Sequence, residues 1–308
     1  MNAAENSLLI KRKAYELGFA FVGIAKAKRL DEDAERLGKW LESGHQAKMS
    51  YLNNHFEKRV DPRKLVPGTK SVISLLFNYH THDKQEDPEA PKLAKYAYGK
   101  DYHFVIKERL KQLFLYIQER IGAVEGRYFV DSAPVLDRAW ARETGLGWVG
   151  KNSMLINKQK GSDFFIASMM LDLELSYDQP IQDYCGTCTK CIESCPTDAI
   201  MENREINSNR CISYLTIELK EEDIPDEFAG KMNNWAFGCD ICQDVCPWNR
   251  FAEQNTEESF QPKQTLMSLS KEQWFGMEKE QYQRLFQKSP VKRAKYSGLK
   301  RNLMFLKK

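Results

Sequence analysis

The sequence predicts an α+β protein built in three parts, and three observations predict it. Strand-like and helix-like stretches alternate over residues 1–178, which is typical of an α/β domain. Every cysteine lies within residues 179–255. The last stretch, 256–308, has helical spacing and ends in many lysines and arginines. At 308 residues the chain is long enough for one large domain or two medium ones.

The elements of the first domain follow from apolar periodicity and from the residues that end each run. Apolar residues recur at helical spacing over 5–17 and 32–43. A continuous apolar run after the Pro67-Gly68 turn predicts a buried strand over 71–79. The same reasoning predicts helices over 103–121 and 134–144, the second with Pro134 in its first turn, and strands over 126–131 and 164–173.

The eight cysteines fall into two groups of similar spacing. The first is Cys185, Cys188, Cys191 and Cys195 before Pro196, the C-x2-C-x2-C-x3-C-P pattern that binds [4Fe–4S] clusters in bacterial ferredoxins. The second is Cys239, Cys242 and Cys246 before Pro247, with Cys211 upstream in place of a first cysteine. In two-cluster ferredoxins the fourth cysteine of a run ligates the other cluster. The pattern therefore predicts two sets: Cys185, Cys188, Cys191 and Cys246, and Cys195, Cys211, Cys239 and Cys242.

Two other uses of cysteine fit this pattern less well. Structural zinc sites also use C-x2-C pairs, but those pairs usually stand about a dozen or more residues apart. Disulfides need an oxidising compartment, and the first residues lack the basic and apolar regions of an export signal. No apolar run of about eighteen residues occurs either. These observations predict a cytoplasmic electron-transfer protein without a membrane segment.

Charge and nucleotide motifs exclude some function classes. The formal net charge of +3 is nearly balanced, so bulk charge alone does not predict binding to a polyanion. The sequence has neither the G-x-G-x-x-G pattern nor the G-x4-G-K-[ST] pattern. Nicotinamide dinucleotide and nucleoside triphosphate are therefore unsupported, and another redox cofactor is expected in the first domain.

Three polar, glycine-containing segments of the first domain are candidates for its site: 59–69, 95–103 and 130–153. Each could also be an ordinary strand end, turn or helix terminus. Asp131 stands between a predicted strand and a predicted helix, where a carboxylate can cap the helix or donate a proton. Burial against a large apolar cofactor would raise its pKa and favour the second role.

Aromatic and glycine residues of these segments suggest a bulky planar ligand. The rings of His103, Tyr96, Tyr98 and Tyr102 could stack on such a cofactor, although a lone histidine is more often structural. The glycines of Gly145-Leu-Gly-Trp-Val-Gly150 would allow its close approach to the backbone.

The chain resembles the epoxyqueuosine reductase family over essentially its whole length. The resemblance is carried, in order, by Asp131-Ser-Ala-Pro, Gly145-Leu-Gly-Trp-Val-Gly-Lys-Asn, the cysteine module, Cys211-Ile-Ser-Tyr-Leu-Thr-Ile-Glu and Cys246-Pro-Trp-Asn. It implies base-off cobalamin in domain 1–178, two [4Fe–4S] clusters and a tRNA whose wobble-position epoxyqueuosine becomes queuosine. It also implies that Asp131 is the general acid. The cofactor contacts expected in this domain are Arg59, Tyr96, Ala97, Tyr98, Tyr102, His103, Ser132, Asn152 and Ser153.

The chemistry of this reaction agrees with the residues. Loss of an epoxide oxygen as water consumes two electrons and two protons, and an acid must protonate the departing oxygen. Since each cluster passes one electron at a time, an external one-electron donor such as a flavodoxin or ferredoxin is expected. Two alternatives remain at this point: a reductive-dehalogenase-like corrinoid enzyme acting on a small molecule, and a non-catalytic electron carrier.

The end of the chain carries the sequence signal for RNA. Residues 288–308 contain eight lysines and arginines and no acidic residue. Arg293, Lys295, Lys300 and Arg301 are the predicted phosphate contacts, and a solvated basic face is the alternative. Family members often continue into a helical repeat domain, so the stretch 256–308 is expected to be either the basic helical end of a short form or the opening of such a domain.

Overall fold

The computed structural model describes residues 2–220 and 223–308. Its strands are β1 (Phe21–Lys26), β2 (Ser71–Asn78), β3 (Lys92–Leu93), β4 (Gly126–Phe129), β5 (Trp148–Val149), β6 (Leu155–Ile156), β7 (Phe164–Leu171) and β8 (Trp235–Phe237). Its α-helices are α1 (Ala3–Glu16), α2 (Asp31–Glu42), α3 (Phe56–Val60), α4 (Pro62–Leu65), α5 (Tyr102–Ile121), α6 (Asp137–Glu143), α7 (Lys190–Glu193), α8 (Ile212–Ile217), α9 (Ile241–Asp244), α10 (Gln264–Met267), α11 (Lys271–Phe275), α12 (Lys279–Leu285) and α13 (Lys295–Phe305).

An antiparallel sheet of four strands, in the order β1-β2-β7-β4, forms the centre of the first domain. Helices α1 and α5 cover one face, where Ile10 and Leu110 pack with Ile73. Helix α6 covers the other face, where Trp140 packs with Val72. Both faces are covered, so β2 and β7 read as nearly continuous apolar runs instead of alternating ones.

The cysteine-rich region contains two matching short helices. Helix α7 follows the second cysteine of the first group, and α9 lies at the same point of the second group. The two helices contact each other, as the sequence repeat leads one to expect. Strand β3 leaves the first domain and pairs in parallel with β8, so the two regions share a small sheet.

The C-terminal helices α10 to α13 enclose a core of their own around Trp274 and Phe286. The segment around Ala97 is part of this core, with its side chain fully buried. The C-terminal stretch therefore packs against the segment 95–103, which was predicted to be part of the site. Among the described residues, no helix is both long and apolar enough to span a bilayer.

The predicted elements are all present, and one boundary is wrong in a way that matters. Helix α6 begins at Asp137, three residues after Pro134. Residues 131–134 form bends, so Pro134 lies ahead of the helix and not in its first turn. Asp131 lies in a bend with φ +47, well before α6, and the helix-cap interpretation of its side chain is wrong.

Candidate functional site

Asp131 presents its carboxylate to solvent from a left-handed backbone position. Such a φ is uncommon for a residue other than glycine and often occurs at functional positions. The Tyr102 hydroxyl, at the start of α5, donates a hydrogen bond to Asp131 Oδ2 over 2.5 Å. This bond holds the carboxylate in place while one of its oxygens remains available.

Tyr102 is itself held by aromatic stacking. Its ring lies 4.2 Å from that of Phe165 on β7 and 4.2 Å from that of His103. His103 Nδ1 is 2.7 Å from Asp101 Oδ1, and this hydrogen bond raises the pKa of the imidazole. Burial is the main cause that raises the pKa of Tyr102, and the Asp131 charge adds to it. Tyr102 therefore stays protonated and acts as a hydrogen-bond donor.

Two residues of α6, Asp137 and Arg138, extend this site inward. Burial raises the pKa of Asp137 to about 7, and the Ser168 hydroxyl donates to its Oδ1 over 2.6 Å. Burial also lowers the pKa of Arg138, although this residue is exposed to solvent. A side chain surrounded by protein yet reached by water lies in a cleft. We call the space bounded by Tyr102, Asp131, Asp137, Arg138 and Arg59 the Asp131 cleft.

Arg59, at the end of α3, is buried and only partly satisfied. One terminal nitrogen is 3.4 Å from the Tyr51 carbonyl oxygen, whereas Nε is buried with no partner among the described residues. Burial lowers the pKa of Arg59, and the nearby charge of Asp137 opposes that shift. A buried guanidinium nitrogen without an acceptor is costly, so this atom is suited to a polar group of a bound molecule.

An ion pair between Arg293 and Glu218 closes the same cleft from the side of the C-terminal segment. Two nitrogens of the Arg293 guanidinium donate to the Glu218 carboxylate, the terminal one over 2.8 Å. This hydrogen bond is the main cause that raises the pKa of Arg293, and the charge of Asp131 contributes. Arg293 was predicted as an RNA contact, and the structure brings it close to the candidate acid.

Several predicted cofactor contacts have their side chains engaged elsewhere. Ala97 is buried in the C-terminal core, and Tyr98 packs against it. Asn152 donates to the carbonyl oxygen of Cys242, and Ser153 donates to that of Arg204. Their side chains stabilise loops. By contrast, the ring centres of Tyr96 and Tyr102 are 6.3 Å apart, and Ser132 is exposed next to Asp131.

The glycine-rich segment has a packing role, which accounts for its glycines without a ligand. A Cβ at Gly145 would lie 2.4 Å from the Gln179 carbonyl oxygen. A Cβ at Gly147 would lie 2.3 Å from the oxygen of Ile156. Glycine is required at these positions because the protein's own backbone approaches closely.

The electrostatic neighbours of the thiols are in line with the two predicted sets, which remain a prediction, although Cys242 also interacts with Cys191 of the other set. The outer set is Cys185, Cys188, Cys191 and Cys246, and the inner set is Cys195, Cys211, Cys239 and Cys242. In the outer set, burial raises the pKa of Cys191, and the charges of Cys185 and Cys246 add to that shift. In the inner set, burial raises the pKa of Cys239, with Cys211 and Cys195 among its neighbours.

These thiols fit the cationic core of an iron–sulfur cluster, because burial disfavours their thiolate charge unless bound iron offsets it. Burial also raises the pKa of Cys242, and the neighbouring charges of Cys211 and Cys239 raise it further. Closely spaced buried thiolates need the positive charge of bound iron to be stable. In the outer set, the Trp148 indole nitrogen donates a hydrogen bond to Cys185 Sγ over 3.4 Å.

The basic segment contributes fewer free cations than its sequence suggests. Arg301 donates to the carbonyl oxygens of Leu219 and Leu215, and Lys300 donates to that of Phe275. Lys295, by contrast, is exposed at the start of α13. The structure thus uses Lys300 and Arg301 to hold α13 in place.

Sequence reasoning missed Asp137, Arg138 and Glu218. The first two read as ordinary charged residues of a helix, and only the cleft separates them from surface positions. Glu218 ends the segment Cys211–Glu218 that carried the family resemblance, so its position was a usable signal.

Comparison with known proteins follows the division seen in the structure. A family described as "Epoxyqueuosine reductase QueG, DUF1730" matches residues 59–132. A family described as "4Fe-4S double cluster binding domain" matches residues 184–249. The first match ends just after Asp131, and the second contains all eight cysteines.

Whole-chain relatives are consistent with these matches. The epoxyqueuosine reductase of Cyclobacterium marinum is 54% identical over 305 residues, covering 98% of this chain and 97% of that protein. A crystal structure of epoxyqueuosine reductase with a tRNA-Tyr epoxyqueuosine-modified stem loop superposes with TM-score 0.91 at 28% identity, covering 99% of this chain and 81% of that one.

Two further solved structures are similar to this chain. An epoxyqueuosine reductase from Bacillus subtilis, whose aspartate-bearing catalytic loop is swung out of its active site, has TM-score 0.90 at 27% identity and covers 99% of this chain and 82% of that one. A reductive dehalogenase shares the fold alone, with TM-score 0.50 at 18% identity over 84% of this chain and 33% of that one. The chain is an oxidoreductase and belongs to the epoxyqueuosine reductase family.

Proposed function

We propose that this protein reduces epoxyqueuosine to queuosine in tRNA, with electrons that pass through two [4Fe–4S] clusters to a cobalamin in the Asp131 cleft. The relatives of the epoxyqueuosine reductase family and the neighbour bound to a modified tRNA stem loop support this substrate. The reaction takes place in the cytoplasm, where tRNA and reduced thiols occur together. The small-molecule and carrier alternatives lack this support.

One observation carries the proposal: the guanidinium of Arg138 lies near both the candidate acid and a thiol of the inner set. Burial lowers the pKa of Arg138, and the charges of Asp131, Asp137 and Cys242 oppose that shift. Arg138 therefore lies within electrostatic reach of the candidate proton donor and of an inner-set thiol. A reductive elimination of oxygen needs protons and electrons in one cleft, and this pairing supplies both.

Two features of the cleft fit cobalamin: Arg59 Nε has no hydrogen-bond partner among the described residues, and the rings of Tyr96 and Tyr102 pack together beside Asp131. Arg59, Tyr96, Tyr102 and Arg138 would hold the cofactor, whose polar rim offers acceptors to the two guanidinium groups. When bound, cobalamin supplies a low-potential metal centre that can deliver two electrons to the epoxide. Of the predicted contacts, Ala97, Tyr98, Asn152 and Ser153 have no part in this proposal.

Asp131 supplies the proton that the epoxide oxygen needs on leaving. Tyr102 donates to one carboxyl oxygen, so the other oxygen is the one that carries and delivers the proton. The reaction takes up two electrons and two protons, opens both carbon–oxygen bonds and releases water and an alkene. His103, whose pKa Asp101 raises, keeps a proton-bearing ring stacked on Tyr102.

The division of labour follows the predicted domains. Residues 1–178 bind the cofactor and hold the acid, 179–255 carry electrons, and 256–308 hold the RNA beside the cleft. Lys295 and Arg293 are the RNA contacts in this proposal, because both are exposed, although Arg293 also pairs with Glu218. Lys300 and Arg301 donate to backbone carbonyl oxygens instead. Each phosphate contact adds roughly 0.7–0.9 to the slope of log affinity against log salt.

The experiment that tests the proposal combines cofactor binding with turnover. The protein is purified anaerobically, titrated with cobalamin, and mixed with a chemical reductant and epoxyqueuosine-containing tRNA. We expect the visible spectrum of cobalamin to change to that of its base-off form, and queuosine to form only when cobalamin is present. No spectral change at saturating cobalamin, together with no queuosine, would contradict the proposal.

A matched pair of variants separates the cleft from the rest of the surface. Arg59→Gln should weaken cobalamin binding in the spectral titration, because it removes the buried guanidinium. Arg63→Gln is the control, since Arg63 lies four positions away and pairs with Asp61. Equal affinities for the two variants would remove Arg59 from the cofactor site.

A further inference from the structure

The loop that carries the outer set lies on the surface of the protein. Residues 181–183, 186, 187, 189 and 190 are all exposed. The inner set, by contrast, is next to buried residues such as Asp240 and Gln243. Electrons from another protein therefore reach the outer set more easily than the inner one.

Four aromatic side chains surround the outer set. The Trp148 ring lies 5.1 Å from the Trp248 ring and 5.2 Å from the Tyr184 ring. Phe251, packed 6.0 Å from Trp248, is 40% exposed. The group contacts a cluster ligand directly through the bond from Trp148 to Cys185 Sγ. Rigid aromatic side chains of this kind form the central contacts of many protein interfaces.

Positive charge surrounds the aromatic group. Lys158 Nζ lies 4.4 Å from the Tyr184 ring centre, and the Arg250 guanidinium lies 4.5 Å from that of Phe251. Lys151 donates to carbonyl oxygens of the cluster loop, and Lys190 is exposed within the loop itself. We call these four cations, with Tyr184, Trp248 and Phe251, the outer face, and Trp148 lies buried beneath it.

The carboxylates near the outer face offset little of this charge. Asp183 pairs with Arg204, and Glu253 pairs with Lys160, so both are already neutralised by other cations. Glu193 accepts a hydrogen bond from the Thr189 hydroxyl and has no cationic partner among the described residues. Four cations against one such carboxylate leave the outer face positive.

We propose that the outer face is the docking site for an acidic one-electron carrier protein, which rests on the function proposed above. In each encounter the reduced centre of the carrier loses one electron, and the outer cluster gains it. Two encounters supply the two electrons that one epoxide consumes. The positive rim steers the acidic partner, and the aromatic centre brings it close to Cys185.

An RNA partner fits the outer face less well. The cleft with Asp131, where the substrate base must enter, is near Arg293 of the C-terminal segment. The outer face is instead built on the cluster loop, and its aromatic residues pack edge to face with one another and with Trp148. Rings packed in this way leave little free surface on which bases could stack.

The test compares two reductants on the holoprotein with both clusters. A pre-reduced acidic flavodoxin needs a docking site, whereas dithionite is small and does not. Stopped-flow absorbance gives the rate of cluster reduction by each. We expect Lys158→Glu/Lys190→Glu/Arg250→Glu to lower the ratio of the flavodoxin rate to the dithionite rate by about tenfold or more at low salt.

Two further proteins make the result decisive. The triple Gln variant at the same positions should lower the ratio less and should weaken its salt dependence. The matched control is Lys111→Glu/Lys231→Glu/Lys279→Glu, which reverses three exposed charges outside the outer face and should leave the ratio unchanged. Because the ratio cancels differences in cluster content, a loss of iron does not obscure the comparison.

An unchanged ratio in both outer-face variants overturns the proposal. So does weaker tRNA binding with an unchanged ratio, which would make the outer face an RNA surface. Cluster reduction requires neither tRNA nor cobalamin. A failure of the function proposed above would therefore appear in turnover, while a failure of the docking site would appear in this ratio.

Discussion

The two cysteine sets come from nearly the same sequence repeat but lie in different surroundings. The outer set is on an exposed loop, receives an indole hydrogen bond and is surrounded by lysines. The inner set is close to the Asp131 cleft, with Cys242 near Arg138. A carboxyl group beside it, Asp240, has its pKa raised to about 7 by burial. In the function proposed above, the neighbours of each cluster therefore set the direction of electron flow, and its ligands do not.

The largest effect expected is the loss of the inner cluster. Cys211→Ala should lower the iron content from about eight to about four per chain and abolish turnover, because no cluster then lies next to the cleft. Iron analysis and the formation of queuosine measure the two effects. If the variant loses both clusters, the module folds as one unit, and the two sets are not independent.

The next largest effect concerns the acid beside the inner set. Asp131→Asn should lower turnover by about 10²–10⁴ while both clusters still form, since it removes the proton donor and keeps the size of the side chain. Ser132→Ala is the matched control and should retain activity. Full activity of Asp131→Asn in the same tRNA assay would assign the proton to another group, and Asp101 and His103 would be tested next.

A smaller effect should appear in the pH dependence of folding stability, through the buried carboxyl group of Asp137. Burial raises the pKa of Asp137 to about 7, so the folded state binds more protons than the unfolded state between about pH 4 and 7. The stability that this proton contributes is complete below the unfolded pKa and is lost as the pH rises to about 7, by at most about 1.4 kcal/mol per unit.

Asp137→Asn isolates this contribution. The variant should gain stability relative to the wild type as the pH rises from 5 to 7.5, in denaturant unfolding of the anaerobic protein. A difference between the two proteins that stays constant with pH would show that Asp137 does not titrate in this range. Asp33→Asn, at a charged residue paired with Arg142, is the control.

The smallest effect should be confined to the outer set. Trp148→Phe removes the hydrogen bond to Cys185 Sγ, which stabilises the reduced, more negative cluster. We expect the potential of the outer cluster to fall by about 20–40 mV, since a weak hydrogen bond contributes somewhat less than about 1 kcal/mol and about 59 mV corresponds to tenfold for one electron. Redox titration followed by electron paramagnetic resonance measures both potentials. Equal shifts in the potentials of both clusters, or a similar shift in Trp248→Phe, would show that the change does not come from the hydrogen bond to the outer set.

Much of the fold was predictable because its signals are local. The apolar run of β2 and the periodicity of α5 each depend on neighbours along the chain, and both elements were predicted within one residue. The start of α6 was not, because the bend at Asp131 is stabilised by Tyr102, which is distant in sequence. The packing role of the glycines in the segment 145–150 was not predictable either, since their partners Gln179 and Ile156 lie outside the segment.

The sequence by itself determined the chemistry of this protein: eight cysteines at ferredoxin spacing, an aspartate after a strand, and motifs in the order of one family. Spacing along the chain is enough for a cluster, because three of the ligands come from one short loop. Only the tertiary structure decided which cluster faces solvent and which faces the acid. It also placed Arg138 within electrostatic reach of both Asp131 and Cys242. Charges interact through space over several ångströms, and contacts between residues so far apart in sequence form only when the chain is folded.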